Sequence, residues 1–388
     1  MCGLAGIINS SEINFSLKET VIKMAAAISY RGPDDRGVFY SNKLGLALSH
    51  QRLSILDLSI NGQQPMISSN EQYVISFNGE IYNHSDLKNL LNKNYKVNWR
   101  GTSDTEVLLN LIEKYGLIPA LNKCQGMFAF ALLDRINEKI HLVRDRYGEK
   151  PLYWGFSGSG INKSLVFASD LNAITCFPYF NNKINESSLM TFFDRAYIPT
   201  PYSIYSDIYK LPAGSFVTID LPIDTNFPLP QPSEWWSLNK TIINARKEQI
   251  KDSDVALSSL ENLIKNILSN QKNADVPLGV FLSGGVDSTI IATLMQEISS
   301  KSINTFTVGF ENKNYCETED AAQIAKYLGT NHSSVVLNDQ DIYNIIPNLS
   351  DIYSEPFADS SQIPTFLVSR EATKSGLKVA LSGDGGDE

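Results

Sequence analysis

The sequence predicts two domains of different class. The front half reads as α+β, with stacked, mainly antiparallel sheets carrying helices on their outer faces. The back half reads as α/β, a doubly wound parallel sheet. Three observations carry this. Short apolar or alternating runs outnumber helical patterns over residues 1–170. Strand and helix patterns alternate from about residue 254 onward. Between them lies a proline-rich stretch, Leu221–Ser233, with Pro222, Pro228, Pro230 and Pro232.

In the front half the strand candidates are GLAGIIN, LGLALS, QYVISFN, GMFAFALLD, KIHLVRD and LVFAS, separated by Gly, Asn and Asp. Two helices interrupt them. SLKETVIKMAAAIS opens on Ser16 with Glu19 three residues later, and Ser103 with Glu106 repeats that capping-box spacing before VLLNLIEKYG. LPAGSFVTIDLP reads as a short hairpin. The boundaries follow: residues 1–200 for the first domain, 201–250 for an extended connector, 251–388 for the second domain. In the second, VALSSLENLIKNIL has helical spacing, and VPLGVFL has the continuous apolar character of a buried parallel strand. The next helix buries Ile291, Leu294, Met295 and Ile298 as one stripe. INTFTVGF is a strand, Ala321, Ile324, Ala325 and Leu328 stripe a further helix, and Gly329 sits at its C-terminal cap position. SSVVL and LKVALS complete the sheet. The chain stops at Glu388 inside SGDGGDE, a loop leaving a buried strand, so the second domain reads as incomplete at its C-terminus.

Composition narrows the function. The 388 residues carry a net charge of −9 and no Lys/Arg-rich block, which argues against nucleic acid as a partner. No apolar run is long enough to span a bilayer, so no membrane role is expected. The opening MCGLAGIINSSE lacks the basic segment of a signal peptide. Cys2, Cys124, Cys176 and Cys316 show no paired spacing, which fits a reduced, cytoplasmic protein better than a disulfide or zinc framework. His50, His84, His141 and His332 sit apart with no metal spacing and read as structural.

Two signatures carry chemistry. Cys2 follows the initiator methionine. Removal of Met1 would leave a thiol and an α-amine on one residue, and the amine can serve as base for the thiol near neutral pH. A thiolate attacking an amide also needs a clamp and an oxyanion hole. Asn78 and Gly79 offer one side-chain and one backbone donor, although an Asn-Gly turn explains the pair equally well. Arg52 can hold a carboxylate bidentately or make an ordinary ion pair. Asp104 opens a predicted helix, where a carboxylate is favoured in any case. The second signature is SGGVDS, Ser283–Ser288, between a buried strand and a helix. Glycines admit an anion close to backbone amides, and the helix N-terminus adds partial positive charge, so phosphate binding follows. The Gly-Lys-Ser/Thr ending of a Walker A loop is absent. Ser283 and Ser288 can donate to phosphate, whereas Asp287 is suited to a metal ion. SGDGGDE, Ser382–Glu388, leaves a second strand of the same sheet. Its Asp384, Asp387 and Glu388 can hold Mg²⁺ or position an acyl acceptor.

MCGLAGI, YRGPDDRG, HQRLSILDLS, NGEIYNH, GMFAFALLD, RDRYGEKPLYW, KLPAG, VFLSGGVDS, TFTVGF and ALSGDGGDE occur in the order seen in glutamine-hydrolysing asparagine synthetases. The chain resembles that family over essentially its whole length. The resemblance implies an αββα sandwich of the N-terminal-nucleophile hydrolase type, followed by a doubly wound ATP-pyrophosphatase domain. It implies glutamine, aspartate and ATP as substrates and Mg²⁺ as cofactor, with a homodimer left open. It makes Cys2 the nucleophile and Asn78 and Gly79 the oxyanion hole. It places Arg52, Leu53, Ser54, Ile55, Leu56, Asn78, Gly79, Glu80 and Asp104 on glutamine. For ATP and pyrophosphate it points to Leu282, Ser283, Gly284, Gly285, Asp287, Ser288, Val308, Ser382 and Gly383. Asp287 and Asp387 are implied for Mg²⁺, and Asp384 for adenylate formation. The chain has SGDGGDE where well-known members often have SGEGSDE. It is similar there to paralogues that amidate other carboxylates, such as a sugar acid in polysaccharide synthesis, and that acceptor class is the alternative. A regulatory relative with decayed sites is the other, and intact Cys2, Arg52, Asp104 and SGGVDS argue against it.

Overall fold

A computed structural model of the chain describes residues 1–10, 14–311 and 317–385. These divide into two units, Met1–Lys247 with Ser354–Ala358, and Glu248–Tyr353 with Asp359–Glu388. Asp387, Glu388 and Cys316 lie outside the described residues.

The strands of the first unit are β1 (Gly3–Ile8), β2 (Asp35–Ser41), β3 (Leu46–Arg52), β4 (Met66–Ile67), β5 (Tyr73–Ile81), β6 (Gly126–Asp134), β7 (Lys139–Arg144), β8 (Tyr153–Ser157), β9 (Ser164–Ala168), β10 (Ile208–Lys210), β11 (Ser215–Asp220) and β12 (Ser233–Glu234). Its helices are α1 (Leu17–Ala27), α2 (His84–Asn94), α3 (Asp104–Tyr115), α4 (Leu117–Lys123), α5 (Leu171–Thr175), α6 (Glu186–Arg195) and α7 (Leu238–Ala245). Two six-stranded sheets result, in the orders β10-β8-β9-β1-β3-β2 and β12-β11-β7-β6-β5-β4. Their inner faces meet: Leu4, Leu48 and Phe167 of one pack with Val74, Ala131 and Leu142 of the other. On the outer face of the first sheet, Val21 and Met24 of α1 cover Ile7 and Val166. On that of the second, Leu108 and Ile112 of α3 and Leu87 of α2 cover Phe77 and Phe130. The layers are therefore αββα. Burial from both sides explains why β1 and β3 are buried at every position rather than at alternate ones. Each such Leu, Ile or Phe stabilises the fold by about 1.5–3 kcal/mol.

Two readings of the 201–250 region change. LPAGSFVTIDLP holds one strand, not a hairpin. At Gly214, φ is +62° and the N–H donates to Asp145 O (2.7 Å), which carries the chain onto β7 and away from a partner of its own. β11 then pairs with β7 from Phe216 to Asp220. The stretch read as a connector also supplies β10 to one sheet and β11 and β12 to the other.

The second unit contains α8 (Ser253–Gln271), β13 (Leu278–Phe281), α9 (Val286–Glu297), β14 (Asn304–Phe310), α10 (Thr318–Leu328), β15 (Asn331–Leu337), α11 (Asp339–Tyr343), α12 (Leu349–Ile352), α13 (Gln362–Lys374) and β16 (Val379–Leu381). Its sheet has the order β15-β14-β13-β16 and is parallel throughout. Val280 is flanked by Thr305 and Leu381 in register. One face packs Leu268, Ala292, Leu294 and Ala325 from α8, α9 and α10. The other packs Leu367 of α13 with Leu337 and Ile345. Helices on both faces make the sheet doubly wound. Gly329 closes α10 in the left-handed conformation, as its place in the sequence predicts. β13 and β16 are neighbours, so the loops at their carboxyl ends share the crevice where such sheets bind ligands.

Candidate active sites

The first site forms where β1, β3, β5 and the start of α3 converge. Cys2 precedes β1. Its Sγ accepts the Leu53 N–H at 3.4 Å and lies 3.6 Å from Leu53 O. Arg31 Nε donates to the Cys2 carbonyl at 3.1 Å, and a guanidinium nitrogen of Arg31 lies 3.8 Å from Asp170. Burial pushes the Cys2 thiol up; the Leu53 N–H, the chain-terminal amine and Arg52 oppose this, and Asp104 adds to it. The amine on Met1 falls to about 6, chiefly through burial, with Arg31 and Lys150 acting the same way and Cys2 and Glu80 against.

A cavity of about 60 Å³ opens beside the sulfur. Of the residues expected on glutamine, Arg52, Leu53, Ile55, Leu56, Asn78, Gly79, Glu80 and Asp104 line it. Ser54 is not among the lining residues; its N–H donates to Asp34 at 2.8 Å and shapes the loop after β3. The Arg52 guanidinium is held by the carbonyls of Leu56, Asp57 and Ser59. Gly62 makes room for it, since a Cβ there would stand 1.9 Å from Nη2. Gly79 is equally constrained: its Cβ would stand 2.1 Å from Met127 O on β6. Asp104 opens α3 after the Ser103 cap, and its carboxylate accepts the Ile81 and Thr105 N–H groups, both at 2.8 Å. Burial pushes its carboxyl up against those bonds. Glu80 rises to about 7, first through burial and then through the nearby Asp104 charge. A buried carboxyl, Asp104, and a half-buried one, Glu80, on one small cavity make a receptor for a cation.

Sequence reasoning missed two residues here. Gln64 orders the wall, its Oε1 accepting from Phe77 N at 2.6 Å and its Nε2 donating to Thr105 at 3.3 Å. Lys150 also lines the cavity and is 6% exposed. Its signal was the RDRYGEKPLYW motif, to which no role was given.

The second site lies in the other unit, in a cavity of about 230 Å³ lined by Leu282, Ser283, Ser288, Val308, Ser382, Gly383 and Asp384. Ser283 N donates to Ser288 Oγ (3.2 Å), and the two hydroxyls are 3.0 Å apart. Gly284 has a φ of +92°, which a side chain would disfavour. Gly285 stands at the N-cap of α9. Gly383 packs against the start of that helix: a Cβ there would be 2.7 Å from Ser288 N and 2.9 Å from Asp287 Cβ. Ser382 Oγ donates to Asp384 at 3.0 Å. Phe281, Phe306 and Thr307 of the strands and Pro364, Thr365 and Val368 of α13 complete the wall; the last three were not foreseen, because α13 carries no motif of its own. Among the described residues no group of three or more His, Cys, Asp or Glu is placed to hold a metal.

Residues 1–225 match the family model for a glutamine amidotransferase domain, and residues 259–388 the model for asparagine synthase. A protein of Methanocaldococcus jannaschii is 36% identical over 100% of this chain and 75% of its own length. Asparagine synthetase [glutamine-hydrolyzing] 1 of Bacillus subtilis is 33% identical over 100% of this chain and 58% of its own.

The chain belongs to the glutamine-hydrolysing asparagine synthetase family.

It spans 58% to 75% of the length of these two relatives. A solved glutamine phosphoribosylpyrophosphate amidotransferase from B. subtilis, complexed with ADP and GMP, aligns with 86% of this chain and 65% of its own at a TM-score of 0.44 and 16% identity. The family's two parts fall on the two units: the amidotransferase match ends in the first, between β11 and β12, and the synthase match begins in α8. Among the described residues no helix is long and apolar enough to cross a membrane.

Proposed function

We propose that the chain catalyses ATP-dependent transfer of the glutamine amide nitrogen to aspartate. The observation that carries this is the cavity joining Cys2 to Arg52, Asn78, Glu80 and Asp104. In this reading, removal of Met1 leaves the amine on Cys2. That amine takes the thiol proton, and the sulfur attacks the glutamine carboxamide. Asn78 and Gly79 stabilise the oxyanion. The Asn78 amide favours that role: one end meets Ser169 Oγ at 3.5 Å, and the buried Oδ1 has no partner. Exchanging its ends lets Ser169 donate to Oδ1 and frees Nδ2 for the oxyanion. Ammonia leaves, and water hydrolyses the thioester to glutamate. Arg52 faces the substrate α-carboxylate, while Glu80 and Asp104 face its α-ammonium.

In the second unit ATP lies along the loop from Leu282 to Ser288, its phosphates toward Ser283, the Gly284–Gly285 backbone and Ser288, its base side toward Val308. The aspartate side-chain carboxylate attacks the α-phosphorus, pyrophosphate leaves, and ammonia displaces AMP. Mg²⁺ fits as the counterion of the phosphates, since one carboxylate plus phosphate oxygens suffices for that ion and Asp287 stands in the first turn of α9. Asp384, fixed by Ser382, faces the acceptor.

The test has two parts. A diazo-ketone analogue of glutamine should alkylate Cys2, located by peptide mass, and glutamate should be released from glutamine. Pyrophosphate release should then depend on aspartate. Release with a sugar acid but not with aspartate would move the acceptor to the alternative class. No adduct on Cys2 would overturn the glutaminase assignment.

A further inference from the structure

Lys150 is a buried cation on the Cys2 cavity that the reaction described so far leaves without a role. Its placement is built. It lies in the loop between β7 and β8, and that loop is held by two charged side chains. Asp145, fully buried, accepts the N–H groups of Phe128, Tyr147, Glu149 and Lys150 at 3.0–3.1 Å. Arg144 grips the carbonyls of Lys150 (2.9 Å), Gly148 (2.6 Å) and Leu211 (2.6 Å). The Lys150 N–H is thus fixed by an anion and its C=O by a cation. Gly148 has a φ of +71° and lies against the Arg144 guanidinium, which lets the loop close. A surface lysine needs no such mounting.

The clamp aims the side chain at the chain terminus. Lys150 Nζ stands 3.4 Å from Met1 Sδ. A thioether is a weak partner for an ammonium, and its removal with Met1 would uncover Nζ in the cavity where the Cys2 amine is created. Cations near an amine disfavour its protonated form. Arg31 is the other cation beside the terminus, but its charge is shared with Asp170 and its Nε with the Cys2 carbonyl. The remaining charged neighbours are Arg52 on β3, Glu80 on β5, Asp104 on α3 and Glu149 beside Lys150 itself. The Glu80 carboxyl favours the protonated amine, and Lys150 opposes it.

We propose that Lys150 is a positioning residue of the glutaminase reaction, mounted by Asp145 and Arg144 to keep the Cys2 amine free to accept the thiol proton. This rests on the glutaminase reading. The same charge acts on the thiol and amine as a coupled pair, so removing it makes both hold their protons more tightly.

The test is the pH dependence of kcat/KM for glutamate release by the full chain with Met1 removed. Lys150→Met should move the acid limb up by about one pH unit, the effect of one close charge. Below that limb, activity falls about tenfold. Lys150→Arg keeps the charge and should restore the limb. Because Glu80 also responds to Lys150, the Lys150→Met change is repeated in Glu80→Gln: the limb should still move. If it stays in place there, the effect runs through Glu80 and the proposal falls. It also falls if Lys150→Arg behaves like Lys150→Met, which marks a packing role. An inactive parent chain without a Cys2 adduct defeats the glutaminase reading and this proposal together, whereas an active parent with an unmoved Lys150→Met limb defeats this proposal alone.

Discussion

Glu80 and Asp104 share one small cavity, and their carboxyls set how the first site answers to pH. Burial, then the Asp104 charge, brings Glu80 to about 7. Below that pH Glu80 is neutral and holds an α-ammonium less well. The KM for glutamine should therefore rise as pH falls from 8 to 6, by about three- to tenfold. Glu80→Gln should raise KM at pH 8 and remove its pH dependence. Steady-state glutamate release at fixed ionic strength checks this, and an unchanged pH dependence in Glu80→Gln assigns it elsewhere. The same group acts on folding with a definite sign. Its folded value lies above the unfolded 4.5, so its contribution is full below about 4.5 and is lost as pH rises through 7. Asn78 makes a separate demand, visible in kcat. Asn78→Ala removes one oxyanion donor and should lower kcat by about 10²–10³-fold with little change in KM. A rise in KM at constant kcat would show that Asn78 only binds the ground state.

At the scale of elements, the site depends on how closely β5 and β6 run. Gly79 pairs with Phe128 across that ladder, and Met127 O fills the space a Cβ would need. Gly79→Ala forces the strands apart and should cost about 1–3 kcal/mol, read as a lower urea midpoint. Glutaminase activity should fall further than stability explains, because the displaced N–H is the proposed oxyanion donor. Helices with an apolar stripe and a cap were legible from the sequence. Ser16 does accept the Glu19 N–H, and α10 ends at Gly329. The Ser103 spacing located α3, although the bonds differ: Ser103 takes the Thr105 N–H, while Glu106 turns back to the N–H groups of Arg100 and Gly101. α2 was missed because it buries only Leu87 and Leu91 and carries no side-chain cap; Asn83, at the cap position, accepts from Gln125 instead. β10 was missed, and β11 was read as strand but given the wrong partner, because their true partners, β8 and β7, are far away in sequence. Lys150 escaped for the same reason. Its motif was visible, but its place beside Met1 follows from the Asp145 and Arg144 clamps across the fold.

In the whole molecule the two proposed chemistries fall on two separately cored units, and each should be removable alone. Every residue proposed for glutamine hydrolysis, from Cys2 to Lys150, lies in the αββα unit, while the SGGVDS and SGDGG loops belong to the parallel-sheet unit. Cys2→Ala deletes the nucleophile without touching the other core, so it should abolish glutamate release and leave ATP affinity unchanged. Asp287→Asn removes one charge at the first turn of α9, where Gly383 packs against it, and should weaken Mg²⁺-ATP while glutamate release without nucleotide persists. Thermal unfolding followed in parallel gives the second reading. ATP at a hundredfold excess over its Kd adds about 2.7 kcal/mol to whatever folds with it, and Asp287→Asn should lose that increment whereas Cys2→Ala should keep it. A Cys2 substitution that abolished ATP stabilisation, or an Asp287 substitution that silenced glutaminase turnover in the absence of ATP, would show that neither unit does its chemistry alone.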